Sequence, residues 1–509
     1  MRAFGKHEQT FILVHFSLMS KVFPPFLTTT LAVLLILQIF NKAAAQDITT
    51  EVRIDVETPA TTTVKGRFPR LGSHSRNLSF LREYAGIEGL GERISGLELR
   101  TDAEKTVAFK MLIPGEYLAE SDFDSWQYNF DLTVQKRPAG AAHVSWLDGN
   151  LGLLMLDDLL PQSTSSKNAK LTLNLPSGWK TWTTEKNLGQ NVFQIADTEK
   201  SVFVIGKDFR EVPAGPNLKL LIEGQWQFTD AEAADIANEI FSNYVKLFGS
   251  APVQQAQIAI LKFPLKAVQA GMWEADTRGQ SVTLISSDMP FKTQSLQRLH
   301  EQLRHEIFHL WLPNGVNLSG NYDWFYEGFA LYAALKGGVA VNRIRFEDFL
   351  DTLSRGYNID TITGSRISLI GASGTRWNGT NTQIYARGML VAFLCDLALL
   401  QRSKGKADVN DLLKRVYDEH NFTKPREDGN TAILRMFKSY PALTDIVQKY
   451  IEGSEKIDWR RQLSAAGIES KEENYTTFLS VATKPNGRQR EILDKLGYNN
   501  WRKLTQSSR

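Results

Sequence analysis

Between Asp47 and about Trp226, apolar and polar residues alternate in short runs. EVRIDVE, TVAFKMLIP, WQYNFDLTV, AKLTLNLP, SVFVIG and LKLLIEGQW each approach a period of two and carry β-branched residues. Pro-Gly, Asp-Gly and Pro-Ser-Gly turns separate them. Side chains of an extended strand point to opposite faces in turn, so the pattern predicts an all-β sandwich or barrel. After Phe228 the period lengthens. TDAEAADIANEIFSNYVKLFG has apolar residues at helical spacing, with Thr229 as N-cap and Gly249 as stop. Two strand-like runs follow, QIAILKFP and SVTLISS. TQSLQRLHEQLRHEIFHLWLPNG then predicts a helix of about five turns, ended by Pro313-Asn314-Gly315. Beyond Tyr326 the pattern is helical almost to the end, through EGFALYAALKGG, RFEDFLDTLSRGY, QIYARGMLVAFLCDLALLQ and VNDLLKRVYDEH.

The first 45 residues follow neither pattern. Arg2, Lys6 and Lys21 precede an apolar run from Phe26 to Phe40, which ends in the small residues Ala43-Ala44-Ala45. That is the order of parts in a secretory signal peptide, here cleaved before Gln46. A start at Met19 gives it an ordinary length. The run is too short for a comfortable membrane span, though an uncleaved N-terminal anchor is the alternative reading. The expectation is a secreted or periplasmic protein, with no stable membrane insertion after cleavage. Length and composition fit several domains with large cores: 509 residues, 42% hydrophobic. With 59 Lys+Arg against 56 Asp+Glu the net charge is +3, which does not advertise nucleic acid as a partner. One cysteine, Cys395, excludes an internal disulfide framework and an all-cysteine zinc site.

The chemistry concentrates in RHEIFHLWLPNGVNLSGNYDWFYEGFA, residues 304–330. His305 and His309 are four apart and share a helix face, so both imidazoles can reach one ion. Glu306 is offset from that face, as suits a base rather than a ligand. Three protein ligands with a fourth position open is the arrangement of a catalytic zinc, and Glu327, opening the next apolar helix, fits as the third. His300 lies about 140° around the same helix from His305, which predicts a surface or supporting role. His143 has no partner visible in sequence. Cys395 falls in an apolar helical run and reads as a small buried hydrophobe.

HEIFH followed by WFYEGFA resembles the gluzincin metallopeptidases of the M1 and M61 families, and M61, the glycyl aminopeptidase group, more closely. KLTLNLPSGWKTWT, YARGMLVAFLCDLALLQRSKGKADVNDLLKRVY and YIEGSEKIDWRRQLSAAGI extend the M61 resemblance over roughly residues 47–468. It implies a multidomain α+β protein: an N-terminal β-sandwich-like domain (46–226), a thermolysin-like zinc peptidase catalytic domain (227–345) and a helical C-terminal portion closing the active site (346–509). It implies one zinc ion per chain on His305, His309 and Glu327, with Glu306 as general base. Tyr385 occupies the position of the family tyrosine that hydrogen-bonds the tetrahedral oxyanion, although the family's lysine is Arg387 here. AGMWEADTRGQSVTLIS resembles the segment before the metal helix, so Glu274 is expected to hold the substrate's free α-amino group, and SVTLIS to pair with the peptide backbone. Ala275 stands where the family has a histidine.

The expected function is that of a secreted zinc aminopeptidase acting on peptides with a free N-terminus. The alternatives are a zinc endopeptidase, a zinc hydrolase of a non-peptide substrate such as an epoxide, and a non-catalytic exported binding protein.

Overall fold

The computed structural model describes residues 48–499, apart from 56–59, 69–75, 135–139, 163–166, 266–267 and 363–365. The expected signal peptide and its cleavage point lie outside the described residues.

The alternating runs fold as the pleat requires. Ile48–Asp55 alternates buried and exposed along its whole length. It pairs antiparallel with Thr61–Arg67 and parallel with Ala169–Asn174 inside an eight-stranded sheet. Val52, Val64, Tyr128, Phe130, Leu171 and Phe203 fill the core on its buried face. A four-stranded sheet, which includes Leu151–Met155 and Val202–Gly206, connects this domain to the next.

The second sheet of interest has five strands, β1 (Phe209–Pro213), β2 (Leu218–Glu223), β3 (Ala256–Lys262), β4 (Trp273–Arg278) and β5 (Ser281–Ser286), in the order β1-β2-β3-β5-β4. β2, β3 and β5 are parallel, and β4 lies antiparallel at the edge. Between β2 and β3 runs α1 (Asp230–Phe248). The Thr229 hydroxyl accepts from the Glu232 amide and the Glu232 carboxylate accepts from the Thr229 amide, a capping box that stabilises the helix by about 1 kcal/mol. β1 and β2 belong to this sheet, not to the N-terminal domain in which a boundary near Trp226 placed them. Alternation identifies a strand but not its sheet. β2 is buried on both faces. Leu218, Leu220 and Ile222 pack under the helices. Leu221, with Ala259 and Leu261 of β3, packs against Trp146, Leu153 and Val204 of the four-stranded sheet.

Four helices build the cleft: α2 (Lys292–Phe308), α3 (Asp323–Ala340), α4 (Phe346–Ile362) and α5 (Asn381–Ser403). Two glycines let α3 and α5 touch, since a Cβ on Gly328 would stand 2.4 Å from the Gly388 Cα. Glu327 precedes the first glycine and Tyr385 sits one turn before the second, so this close crossing brings both to one place. Residues 376–403 form a helix long and apolar enough to cross a membrane, but 89% of its apolar window is buried inside the protein. The C-terminal portion is helical with one hairpin, Ile468–Glu473 with Thr476–Val481, which packs on α4. Arg387 is fully buried and donates to Asp360 and to the carbonyls of Tyr450 and Glu455. It ties these helices together.

Candidate metal centre and active-site cleft

His305 lies in the last turn of α2 and His309 caps it. Glu327 faces both from α3. His305 Nε2 is 3.1 Å from His309 Nε2 and 3.2 Å from Glu327 Oε2, and His309 Nε2 is 3.5 Å from the same oxygen. A tetrahedral ion with bonds of about 2.0–2.1 Å holds its donors roughly 3.3–3.4 Å apart, so these three atoms already have the spacing of three ligands. All three residues are buried, and Glu327 Oε2 accepts no hydrogen bond. His309 Nδ1 lies 2.9 Å from the Leu312 carbonyl, which fixes its proton there and leaves the Nε2 lone pair for an ion.

The electrostatics ask for a cation. Burial opposes the charge on Glu327, yet Arg376, then His309, hold its carboxyl well below the usual range. Burial also opposes a charged His309, but the Glu327 carboxylate outweighs it and lifts the imidazole to about 9. A proton drawn to this spot stands in for a metal. His305, His309 and Glu327 therefore form a group suited to hold one metal ion.

Arg376 was not legible as a site residue. It sits before a left-handed turn at Gly379 (φ 100°), and its partners lie far away in sequence. Its Nη2 lies 2.9 Å from Glu327 Oε1, the oxygen turned away from the histidines, and donates at 2.8 Å to the Tyr385 hydroxyl. Its Nη1 reaches Asp323 at 2.8 Å. Outer partners of a metal ligand fix its orientation and basicity. Arg376→Met is expected to weaken zinc binding about 10- to 100-fold, with Arg376→Lys in between. Competition with a chromophoric chelator measures this, and unchanged affinity would remove Arg376 from the site.

Tyr385 lies beside the metal group. Its ring centroid is 6.2 Å from that of His305. Burial, then the Glu327 carboxylate, push its hydroxyl well above the ordinary value, so it stays protonated. Since that oxygen accepts from Arg376, its own proton is left to donate. Glu306 Oε2 accepts from the Thr277 hydroxyl at 2.8 Å, and that hydroxyl also lies 3.2 Å from the Glu306 carbonyl. Thr277, on β4, carried no motif signal, and only the strand's pairing places it beside α2.

Glu274 is on the same edge strand. Its Oε2 accepts from the amides of Gly140 at 2.7 Å and Ala142 at 3.4 Å, both in the N-terminal domain. Among the described residues its Oε1 is buried with no partner. Burial raises its carboxyl, and the two amides partly offset that. SVTLIS, by contrast, is not available to a peptide. As β5 it is buried throughout and hydrogen-bonded on both sides by β3 and β4. The free edge belongs to β4.

His143 has a partner after all: its Nδ1 lies 3.3 Å from Asp276 Oδ2 on β4, and the Tyr84 hydroxyl donates to the same carboxylate at 3.3 Å. His300 is not at the surface. It is 3% exposed, away from the metal group, with Arg304 Nη1 at 2.6 Å from its Nδ1. Burial, then the Arg304 charge, hold it down to about 4, so it is neutral. Cys395 is buried, and burial raises its thiol.

All these catalytic candidates line one cavity of about 2060 Å³. Tyr84, Ala85 and Trp377 are among its lining residues, with Glu274. The turn Tyr84–Ile87 meets the segment after α4, where a Cβ on Gly86 would stand 3.5 Å from the Trp377 ring. Gly140 packs against Ile87 behind Glu274, at a place where a Cβ would come within 2.4 Å of the Ile87 side chain.

No protein-family model and no curated protein matches the sequence. Solved structures do. An aminopeptidase N family protein from Idiomarina loihiensis shares 16% identity over 84% of this chain and 79% of that one, with a TM-score of 0.71. An M1 zinc metallopeptidase from Deinococcus radiodurans shares 16% over 81% and 93%, with a TM-score of 0.50. Native leukotriene A4 hydrolase from Saccharomyces cerevisiae shares 13% over 87% and 69%, also at 0.50. The likeness falls on the M1 side of the resemblance carried by HEIFH and WFYEGFA. At this identity it is a likeness of fold: the chain is built on the fold of the M1 zinc metallopeptidases and the aminopeptidase N family.

Proposed function

We propose that the protein is an exported zinc aminopeptidase that removes N-terminal residues from peptides. The observation that supports this reading is that Glu274 stands in the same cavity as the metal group. Glu274, one of whose oxygens is buried and unpartnered among the described residues, lines a cavity that also holds His305, His309, Glu327, Glu306 and Tyr385. Export rests on the signal-like first 45 residues alone.

His305, His309 and Glu327 would hold the zinc ion, which when bound supplies Lewis acidity toward water and the scissile carbonyl. The rest is the work of side chains. Glu274 Oε1 accepts from the substrate ammonium and sets the register. The free edge of β4 offers backbone groups to an extended peptide. Glu306, held by Thr277, takes a proton from the attacking water and passes it to the leaving amine. The Tyr385 hydroxyl donates to the carbonyl oxygen as charge gathers there, and Arg376 strengthens it as a donor.

The test is a two-by-two set of rates, wild type and Glu274→Ala, each on a peptide with a free and with an acetylated N-terminus. A charge-assisted hydrogen bond of about 1.5–3 kcal/mol corresponds to roughly ten- to more than a hundredfold in kcat/KM. Glu274→Ala is expected to lose that factor on the free amine and almost nothing on the acetylated peptide. Equal losses on both would assign Glu274 to the fold, and rapid cleavage of acetylated peptide by wild type would make the enzyme an endopeptidase.

A further inference from the structure

The cavity continues past the catalytic group. It follows α2 along Gln297 and Arg304 and reaches α4 at Thr352, Arg355 and Ile359. With the substrate's N-terminus held at Glu274, as proposed above, this stretch faces the part of a peptide beyond the scissile bond.

The arginines lining it fall into two kinds. Arg343 is paired with Glu239 at 2.9 Å and Arg345 with Asp348 at 2.7 Å. Arg304 and Arg355 have no carboxylate within ion-pairing distance among the described residues. Arg355 donates only to the Thr352 hydroxyl, at 3.1 Å. Arg304 is 6% exposed, its Nε is buried without an acceptor, and Nη1 rests on the neutral His300. A guanidinium has five N–H donors, and burying its charge without a counter-ion is costly. The space for it is kept by Gly338, where a Cβ would come within 2.7 Å of Nη1. Glu301 and Glu239 act on the Arg304 charge from beyond ion-pairing distance, but no carboxylate among the described residues takes its spare donors.

We propose that Arg304, with Arg355 lining the same stretch, forms a carboxylate-binding subsite for the leaving part of the substrate. The preferred substrates are then short peptides that place a carboxylate there, either a free C-terminus or an acidic side chain after the scissile bond. The inference rests on the aminopeptidase reading for its direction along the cleft.

The experiment compares Ala-Ala-Ala with Ala-Ala-Ala-amide, and Ala-Asp-amide with Ala-Asn-amide, using the zinc-loaded protein. Wild type is expected to favour the anionic member of at least one pair by about tenfold or more, the worth of a charge-assisted hydrogen bond. The first pair identifies a C-terminal carboxylate, the second a side chain. Arg304→Gln should collapse the favoured ratio toward one, and Arg304→Lys should keep part of it. Ratios near one in wild type overturn the subsite. So does an Arg304→Gln protein that loses rate equally on both members, as a merely structural arginine would. Isothermal titration of the same peptides into Glu306→Gln separates the two readings. Acid-selective binding with no hydrolysis by wild type would overturn the peptidase and keep the subsite, whereas hydrolysis with equal affinities would do the reverse.

Discussion

Glu306→Gln is expected to keep the fold and the zinc content while kcat falls by about 10²- to 10⁴-fold, the usual range for loss of a general base. The amide has nearly the same shape and can still meet the Thr277 hydroxyl, which lies 2.8 Å from Glu306 Oε2. It cannot take the proton of the attacking water or return one to the leaving amine. Because Glu306 is not among the three residues whose ligand atoms converge, metal content should be unaffected. Elemental analysis beside steady-state kinetics makes the comparison. Activity within a few-fold of wild type would mean that water is deprotonated by another group.

Tyr385→Phe removes one oxygen and leaves the helix crossing at Gly328 and Gly388 in place. If that hydroxyl stabilises charge that develops on the carbonyl oxygen, kcat falls by on the order of 10² or more while KM changes little. The loss should exceed a packing effect, because Arg376 Nη2 then faces a ring edge instead of the oxygen it now reaches at 2.8 Å. An unchanged kcat would return Tyr385 to the role of a buried helix tyrosine. Thermal unfolding of the variant guards against a collapse of the site, since a stable protein with lost kcat has lost chemistry.

The metal group was legible in sequence because its spacing is local. His305 and His309 are one helical turn apart, and that turn fixes their relation whatever surrounds it. Glu327 needed one more step, the docking of the next helix, and the apolar run after it supplied that. Arg376 and Thr277 were out of reach for the opposite reason. Each meets the site only through tertiary packing: Arg376 across 49 positions to Glu327, Thr277 across 29 to Glu306. Neither has a periodic neighbour that would announce it. The strand pairing of SVTLIS was misread on similar grounds. Its apolar character reports burial on both faces, which is the mark of an interior strand, and the more polar Trp273–Arg278 is the edge. Alternation before Trp226 could not tell which sheet Phe209–Pro213 and Leu218–Glu223 join, because period two is shared by both sheets. The meeting of Tyr84, Glu274 and Trp377 in one cavity could not be foreseen, since they come from three distant stretches of chain.

One zinc ion on His305, His309 and Glu327 is proposed to drive cleavage next to a free N-terminus. This is tested most directly by stripping the purified protein with a chelator and titrating zinc back while following hydrolysis of an alanyl peptide and its N-acetylated twin. The stripped protein should have no activity, recovery should be complete at one ion per chain, and only the free peptide should be cleaved. Activity that survives stripping, or recovery that serves both peptides equally, would contradict it.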